Sequence, residues 1–505
     1  MINNKILDFY LLSIEVKKIK KKTSNIVLCH GVFDLLHIGH IKYLQEAKSM
    51  GDVLIVTLTP DRFVNKGPDR PVFNEKLRAD AIAALEVVDY VAINKWPTAI
   101  ETINNLKPTI YVKGPDYKNL NGDITGNIKL EKETIESVGG KIAFTSTEEY
   151  SSSYLINNFL LENDGKKSFI SKLKKNYSYK DIYEFIENLS NTNVLLIGEV
   201  IIDKYVFCNS VGKSGKEPVL VSKKNSTERY AGGVLSVANH ISEFCKNIKV
   251  ISYLGEKNQY KDFIKNNLRE NVKFEYIKKK DSPTIVKTRY IDEYSKTKIQ
   301  GIYDINDEII NKNEEDIFIK TLDENINDYS LVIVVDYGHG LISPKIVEKL
   351  EIESKFLAVN TQLNSFNSSF HSISKYQKAD YVCVHSGELR HDYRNRYDSE
   401  EKLMHDLYER MNLQYLTITL GNRGSMMLRN ETLTKCPAFA NKIIDRVGAG
   451  DTLLAITSLC VEKKLPEQIT LLLGNILASE SVGSMGTGNI YKKVNLLKSI
   501  KALMA

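Results

Sequence analysis

Short apolar or β-branched runs recur through the first part of the chain, at Ile26 to Cys29, Val53 to Leu58, Tyr90 to Ile93, Thr109 to Val112 and Lys141 to Thr145. A helix-length stretch of mixed polar and apolar residues separates each from the next. Alternation of this kind predicts a parallel sheet with helices wound over both faces. From Glu162 to Asn193 the composition turns to Lys, Asn, Ser and Tyr, the mark of a linker, with a helix predicted over Lys180 to Leu189. A second alternation opens at Val194 and runs through Lys249 to Leu254, Leu331 to Asp336, Phe356 to Asn360, Tyr381 to Val384 and Tyr415 to Leu420, ending in helices from Asp451 onward. The chain is therefore expected to be α/β, with a lead-in helix in 1–24, a first domain over 25–160, a linker over 161–192 and a second domain over 193–505.

At 505 residues, 42% hydrophobic and 26% charged, the chain has the composition of an ordinary globular protein with more than one core. Its formal charge of +6 is small for this length and argues against a dedicated nucleic-acid binder, while leaving small anionic substrates open. No apolar run approaches the roughly 18 residues needed to span a bilayer, so no membrane passage is expected. The basic cluster Lys17, Lys18, Lys20, Lys21 and Lys22 follows the first apolar stretch instead of preceding it, the wrong order for a secretory signal. A solvated lead-in helix is expected there. Six well-separated cysteines without a CxxC pair argue against a disulfide framework or a zinc site and point to the cytoplasm.

Two segments carry chemistry. In the first, Cys29-His30-Gly31-Val32-Phe33-Asp34-Leu35-Leu36-His37-Ile38-Gly39-His40 follows a predicted strand and leads into a helix from Ile41 to Met50. Gly31 and Gly39 allow a ligand close to the backbone, and a helix start offers unpaired N–H groups and a positive dipole end to a phosphate. His37 and His40, three apart, can both donate to oxygens that gain charge when an α-phosphate is attacked. Strand, glycine, HxGH and helix in this order resemble the HxGH nucleotidyltransferases. The resemblance extends through Arg70-Pro71-Val72, Val112-Lys113-Gly114-Pro115-Asp116-Tyr117-Lys118 and Ser151-Ser152-Ser153. It implies a Rossmann-like, cytidylyltransferase-like domain in which His37 and His40 bind the triphosphate and Gly31, Phe33 and Gly39 line the nucleotide site. It further implies that Lys113, with Lys66 or Arg70, neutralises phosphates and that Ser152 and Ser153 cap a last helix beside the nucleotide. Surface salt bridges are the competing role for Lys66 and Arg70. The Lys-Gly-x-Asp-Tyr-Lys stretch looks closer to enzymes making nucleotide-activated heptose than to glycerol-phosphate cytidylyltransferases, and ATP and CTP both stay open.

In the second segment, Asp445-Arg446-Val447-Gly448-Ala449-Gly450-Asp451-Thr452 precedes an apolar helix. Its glycines let backbone N–H groups converge on a transferring phosphoryl group, and Asp451 is placed to take a proton from an attacking hydroxyl. Gly198-Glu199 with Asp203, Ala231-Gly232-Gly233, Asp336-Tyr337-Gly338, and Thr417-Ile418-Thr419-Leu420-Gly421 with Gly424 occur in the order found in ribokinase-like (PfkB) sugar kinases, which this half resembles. The resemblance implies that Asp451 is the catalytic base and that Gly448, Ala449 and Gly450 form the anion hole. Thr419, Gly421 and Gly424 would contact the nucleotide, Asp203, Gly232, Gly233 and Ser236 the sugar, and Glu388 would belong to the network around Mg2+. Three places depart from the family pattern. Ser236 stands where an Asn is usual, His385 takes the Asn place of NxxE, and Asn360-Thr361-Gln362 replaces Asp-Pro-Lys. His385 either organises metal-bound water or marks a weakened kinase; retained activity is expected, since the anion hole and base are intact.

Together the halves resemble the bifunctional kinase/nucleotidyltransferases of ADP-heptose synthesis, with the domain order reversed. The implied function is ATP-dependent phosphorylation of a heptose-like sugar or sugar phosphate, and nucleotidyl transfer from ATP or CTP to a sugar 1-phosphate. The alternatives are a kinase for another sugar or polyol joined to a cytidylyltransferase, or an inactive kinase-like dimerisation module. The expected partners are sugar phosphate and nucleoside triphosphate, with a homodimer formed through a lid sheet near Val206 to Val221, and neither nucleic acid nor membrane. Trp96 is expected to pack rather than to stack on a base. Arg390, Arg394 and Arg396 form either a solvated face or a phosphate clamp.

Overall fold

The computed structural model describes residues 5–23, 25–65, 67, 70–117, 127–146, 164–257, 260–440, 443–483, 485–486 and 490–504. The chain divides into two compact units, Met1–Ile170 with Val494–Ala505, and Ser171–Lys493.

The first unit holds β1 (Ile26–Gly31), β2 (Val53–Leu58), β3 (Tyr90–Ile93), β4 (Ile110–Lys113) and β5 (Lys141–Phe144). They form one sheet in the order β3-β2-β1-β4-β5, parallel throughout. From β1 the chain winds outward to β2 and β3, then returns to lay β4 on the other side. The carboxyl ends of β1 and β4 therefore flank the topological switch point, where a doubly wound sheet opens a crevice. β1 runs there into the helix Ile38–Ser49, and β4 ends there in Lys113.

Two expectations are corrected in this unit. The lead-in helix, Phe9–Ile19, is not simply solvated: Phe9, Leu12 and Val16 are buried, and they join a core with Ile26, Leu28, Ala92 and Ile103. Their spacing puts all three on one face, and burying it takes apolar area from water at about 25 cal/mol per Å². Trp96 packs edge-on to Phe9 at 5.0 Å between ring centres, which is a packing role. The last helix, Lys493–Met504, is the second correction, because 494–505 group with this unit and not with the second. Its buried Leu496, Leu497 and Ile500 need a cover, and Ser499 lies against Gly67, whose positive φ of 102° leaves no room for strain-free side chains.

The stretch expected to be a linker is helical, over Asp164–Asn176 and Tyr179–Asn188. Ser178 and Asp181 form a capping box at the second, and Ile182 and Ile186 are buried.

The second unit is built on β6 (Asn193–Gly198), β7 (Val200–Lys213), β8 (Leu220–Gly233), β9 (Asn247–Lys257), β10 (Val272–Pro283), β11 (Ile285–Asp292) and β12 (Lys298–Asp304). After these come β13 (Leu331–Asp336), β14 (Leu357–Thr361), β15 (Tyr381–His385), β16 (Tyr415–Thr419), β17 (Ser425–Arg429) and β18 (Thr432–Cys436). The large sheet has the order β10-β9-β6-β13-β14-β15-β16-β17-β18. Its first seven strands are parallel and β17 and β18 antiparallel. Here the switch point lies between β6 and β13, and all six residues of β13 are buried, as expected of a strand covered on both faces. A second sheet, β12-β11-β7-β8, carries the long strands on either side of the segment predicted to form a lid. Strands β10 to β12, β17 and β18 were not predicted: β10 and β12 mix Lys, Glu, Asp and Gln with their apolar residues and lack a continuous apolar run.

All six cysteines are buried free thiols. Among the described residues, no helix is long and apolar enough to cross a membrane.

Candidate active sites

In the first unit His37 caps the helix Ile38–Ser49, its Nδ1 accepting from the Gly39 amide at 3.1 Å. An accepting Nδ1 leaves Nε2 to carry the proton of the neutral ring, so the cap also fixes His37 as an Nε2–H donor. His40 stacks on it with ring centres 4.0 Å apart, and Phe33 meets His40 edge-on at 5.4 Å. Phe33 is held at φ 50° and Leu35 at φ 48°, a left-handed turn that brings the Phe33 ring back within 3.1 Å of where a Cβ on Gly31 would stand. The carboxylate of Asp34 accepts from the amides of Val72 at 2.8 Å and Phe73 at 3.1 Å, which ties the Arg70-Pro71 loop to the same turn.

Lys113, at the end of β4, is held between charge and rings. It pairs with Glu131 at 3.0 Å and lies 5.2 Å and 5.1 Å from the ring centres of Tyr111 and Tyr117. Glu131 also accepts from Tyr111 Oη at 3.0 Å. No motif pointed to Arg78, which is fully buried and donates to the carbonyls of Phe73 and Thr59 at 2.9 Å and to Asp61 at 2.6 Å. Its further bond to the carbonyl of Val32 ties the loop that follows β1 to those that follow β2. Lys66, Ser152 and Ser153 lie outside the described residues.

In the second unit the turn Asp445 to Gly450 enters the helix Ala449–Glu462. Gly448 takes φ 87°, and a Cβ on Gly450 would meet nothing within 4 Å, so this turn is open to a ligand. Asp451 sits buried in the first helical turn. Burial raises its carboxyl to about 6, against the hydrogen bond that Tyr337 Oη donates to Oδ1 at 3.0 Å.

Two cavities meet at Asp451. The larger, about 860 Å³, is lined by Thr419, Gly421, Gly424, Ala449 and Gly450, with Phe439, Ile443 and Leu453 as an apolar wall. The smaller, about 330 Å³, is lined by Asp203, Gly233, Lys287, Arg289, Tyr303 and Gly448. Gln362, Leu363, Arg446, Gly450 and Asp451 belong to both. A nucleotide-sized space and a sugar-sized space thus share one wall, made of the glycine turn with its carboxylate and of Gln362 and Leu363 after β14.

Lys287, Arg289, Tyr303 and Arg446 were not anticipated. Lys287 and Arg289 are two apart on β11 and so face the same side. The available signal was a Lys-x-Arg alternation inside an otherwise apolar strand. Arg289 pairs with Asp203, and burial lowers the Lys287 ammonium against the pull of that carboxylate. Gly232 leaves the room that Asp203 fills, since a Cβ there would collide with Oδ2. Gly232 and Ser236 themselves do not line the smaller cavity: Ser236 is buried in the helix Val234–Ile241 with its hydroxyl unpartnered.

His385 and Glu388 form a capping box on the helix Ser386–Asp392. His385 Nδ1 accepts from Gly387 at 3.0 Å, and Glu388 accepts from His385 at 2.7 Å and Leu363 at 3.1 Å. A histidine can therefore fill the usual Asn place because the position is a helix cap. Burial raises the Glu388 carboxyl to about 7, and the Asp451 charge adds to it. Such a carboxyl gains from a nearby cation, yet among the described residues no three His, Cys, Asp or Glu side chains group to hold a metal. A cation carried in on nucleotide phosphates would meet Glu388 here. Arg390 donates to the carbonyls of Arg396 at 3.0 Å and Asp398 at 2.9 Å and pairs with Glu400, a loop-fastening role.

A glycine turn at a helix start, a buried carboxylate beside it and two cavities meeting there are the parts that phosphoryl transfer to a hydroxyl requires. Residues 191–493 match the pfkB family carbohydrate kinases, so the chain belongs to that family, and residues 28–158 match the cytidylyltransferase-like family. Along this chain the nucleotidyltransferase-like domain comes first. Contrary to expectation, the comparisons establish no reversal of order relative to the bifunctional relatives. A bifunctional protein HldE of a Nitratiruptor species is 44% identical over 141 residues, 27% of this chain and 30% of that protein. Another, of Campylobacter jejuni, is 27% identical over 318 residues, 61% of this chain and 66% of that protein. The chain thus spans less than two thirds of the length of these relatives. Phosphofructokinase-2 from Escherichia coli, solved with fructose-6-phosphate, superposes with TM-score 0.50 at 12% identity over 62% of this chain and 99% of its own, a likeness of fold.

Proposed function

We propose that the chain is a bifunctional sugar-activating enzyme. The second unit transfers the γ-phosphoryl group of ATP to a hydroxyl of a heptose-like sugar phosphate. The first unit joins a sugar 1-phosphate to the nucleotidyl group of ATP or CTP and releases pyrophosphate. The observation that carries the kinase half is Asp451 standing on the shared wall of the two cavities. Its carboxylate takes the proton of the attacking hydroxyl while the amides of Gly448 to Gly450 receive charge from the moving phosphoryl group. Glu388 would hold Mg2+ carried in with the nucleotide, and the ion would neutralise phosphate charge. The intact turn and base speak against a kinase-like module that has lost its chemistry.

Lys287, Arg289 and Arg446 outnumber the carboxylates Asp203 and Asp451 in the smaller cavity, and this excess of cations favours a substrate that carries a phosphate of its own. In the first unit, the His37 Nε2–H donor and stacked His40 at a helix start suit a triphosphate whose α-phosphorus is attacked in line. The buried thiols are compatible with a reducing cytoplasm. A homodimer through the β12-β11-β7-β8 sheet is supported by exposed Val211 and Leu220 on its long strands.

Mass spectrometry of the products formed from ATP or CTP with a panel of sugars, sugar phosphates and sugar 1-phosphates tests both halves. ADP together with a bisphosphorylated sugar, and a nucleotide-sugar with pyrophosphate, are expected. Turnover of unphosphorylated sugars in preference to their phosphates would overturn the substrate class, and no product with any pair would overturn the function.

A further inference from the structure

We propose that Tyr337 is a positioning residue of the kinase site: its hydroxyl fixes one oxygen of Asp451, so that the other is presented to the sugar hydroxyl. The inference rests on Asp451 as base. Tyr337 directly follows β13 at the switch point of the large sheet, and its backbone is held on both sides. Its amide donates to Glu199 Oε2 at 3.0 Å, while its carbonyl accepts from Asn364 Nδ2 and Asn367 Nδ2, each at 2.8 Å. Glu199 also accepts from the amide of His339 at 3.0 Å, so two successive turns hang from one buried carboxylate. The side chain is 2% exposed, and its single donor goes to Asp451 Oδ1 at 3.0 Å.

A carboxylate in the first turn of a helix can rotate about its Cβ–Cγ bond, and a rotating base meets the hydroxyl at the wrong angle for much of the time. A phenol anchored through its own backbone removes that freedom. Among the described residues Tyr337 makes the one hydrogen bond to the Asp451 carboxylate, which leaves Oδ2 for the substrate side. The same bond favours the ionised base, opposing the burial that raises it. The other groups that bear on Asp451 are Lys287 on β11, Asp203 on β7, and Glu388 and Cys383 from the nucleotide side. Arg446 lies on the turn itself. None of these changes when the Tyr337 hydroxyl alone is removed, so a shift in the acid limb belongs to that hydroxyl.

The test uses the full chain, with ATP and the most active sugar phosphate among fructose 6-phosphate, mannose 6-phosphate and sedoheptulose 7-phosphate, or slow transfer to water if none is turned over. Tyr337→Phe keeps the ring and removes the donor. The acid limb of kcat/KM is expected to move up by roughly one pH unit, and kcat at neutral pH to fall about tenfold with the sugar KM little changed. Replacing Tyr337 alone by 3-fluorotyrosine strengthens the donor without disturbing the packing, and moves the limb down; this arm decides the matter if the Phe variant folds poorly. An unmoved limb in the fluorotyrosine protein, or a loss confined to KM, overturns the positioning role while leaving Asp451 as base. Full turnover by Asp451→Asn overturns the base and the positioning role together.

Discussion

The two units place their candidate sites at the same point of a parallel sheet, the switch point, and at the same kind of element, a helix start behind a glycine turn, but they arm them differently. In the first, two half-buried imidazoles lie one over the other at the helix entry, 4.0 Å between centres, and His37 is locked as a donor by its own cap. In the second, a buried carboxylate stands in the helix's first turn with its carboxyl raised to about 6. The difference fits what each of the proposed reactions would need. Attack by an already ionised sugar phosphate requires donors for the triphosphate and no base, whereas attack by a neutral hydroxyl requires an acceptor for its proton. A helix dipole suits either proposed site, and on this reading the side chain in the first turn decides between them.

Exchanging the losses breaks this comparison most directly. Asp451→Asn is expected to lower phosphoryl transfer by roughly 10³-fold and leave nucleotidyl transfer alone, and His40→Ala to lower pyrophosphate release by about 10²-fold while kinase turnover stays. Coupled assays of ADP and pyrophosphate on both variants check this. Loss of both activities in either would contradict two independent sites.

A smaller effect sharpens the contrast between base and donor. Because Asp451 must be ionised to accept a proton and its carboxyl sits near 6, phosphoryl transfer should fall as pH drops through about 6, approaching tenfold per unit below it. The kcat/KM profile shows this limb, and a flat profile down to pH 5 would exclude Asp451 as the titrating group.

The smallest change concerns the cap shared by both sites, for His385 repeats the His37 arrangement, Nδ1 accepting from the amide two residues on. His385→Asn replaces one capping side chain by a better one, so thermal stability should shift by no more than about 1 kcal/mol and kinase activity by a few-fold at most. A loss near that of Asp451→Asn would make His385 a catalytic residue.

Much of this was legible in the chain. The inner strands of both parallel sheets announced themselves as apolar runs, because a strand covered on two faces is apolar throughout, whereas the edge strand β10 mixes charged residues with apolar ones and did not. The HxGH and GAGD turns were legible through their company: a glycine turn before a helix is common as a cap, but each stood among further motifs in a fixed order along the chain. The substrate pocket was not legible. Lys287 and Arg289 occupy a strand that looks structural, Ser236 stands in a substrate-contacting position of the family pattern yet does not line the cavity, and Tyr337 was legible only as part of the Asp336-Tyr337-Gly338 motif, which assigned it no role.

Local pattern thus determined the elements, the two glycine turns and the reacting groups on them, since periodicity, capping and φ preferences act over a few residues. Tertiary structure decided which cations face Asp203, which hydroxyl holds Asp451, and where the last helix packs. Those depend on side chains brought together from β7, β11, β13 and the turn after β18, more than a hundred residues apart in some pairs, and the sheet order that gathers them is set by burial over the whole unit.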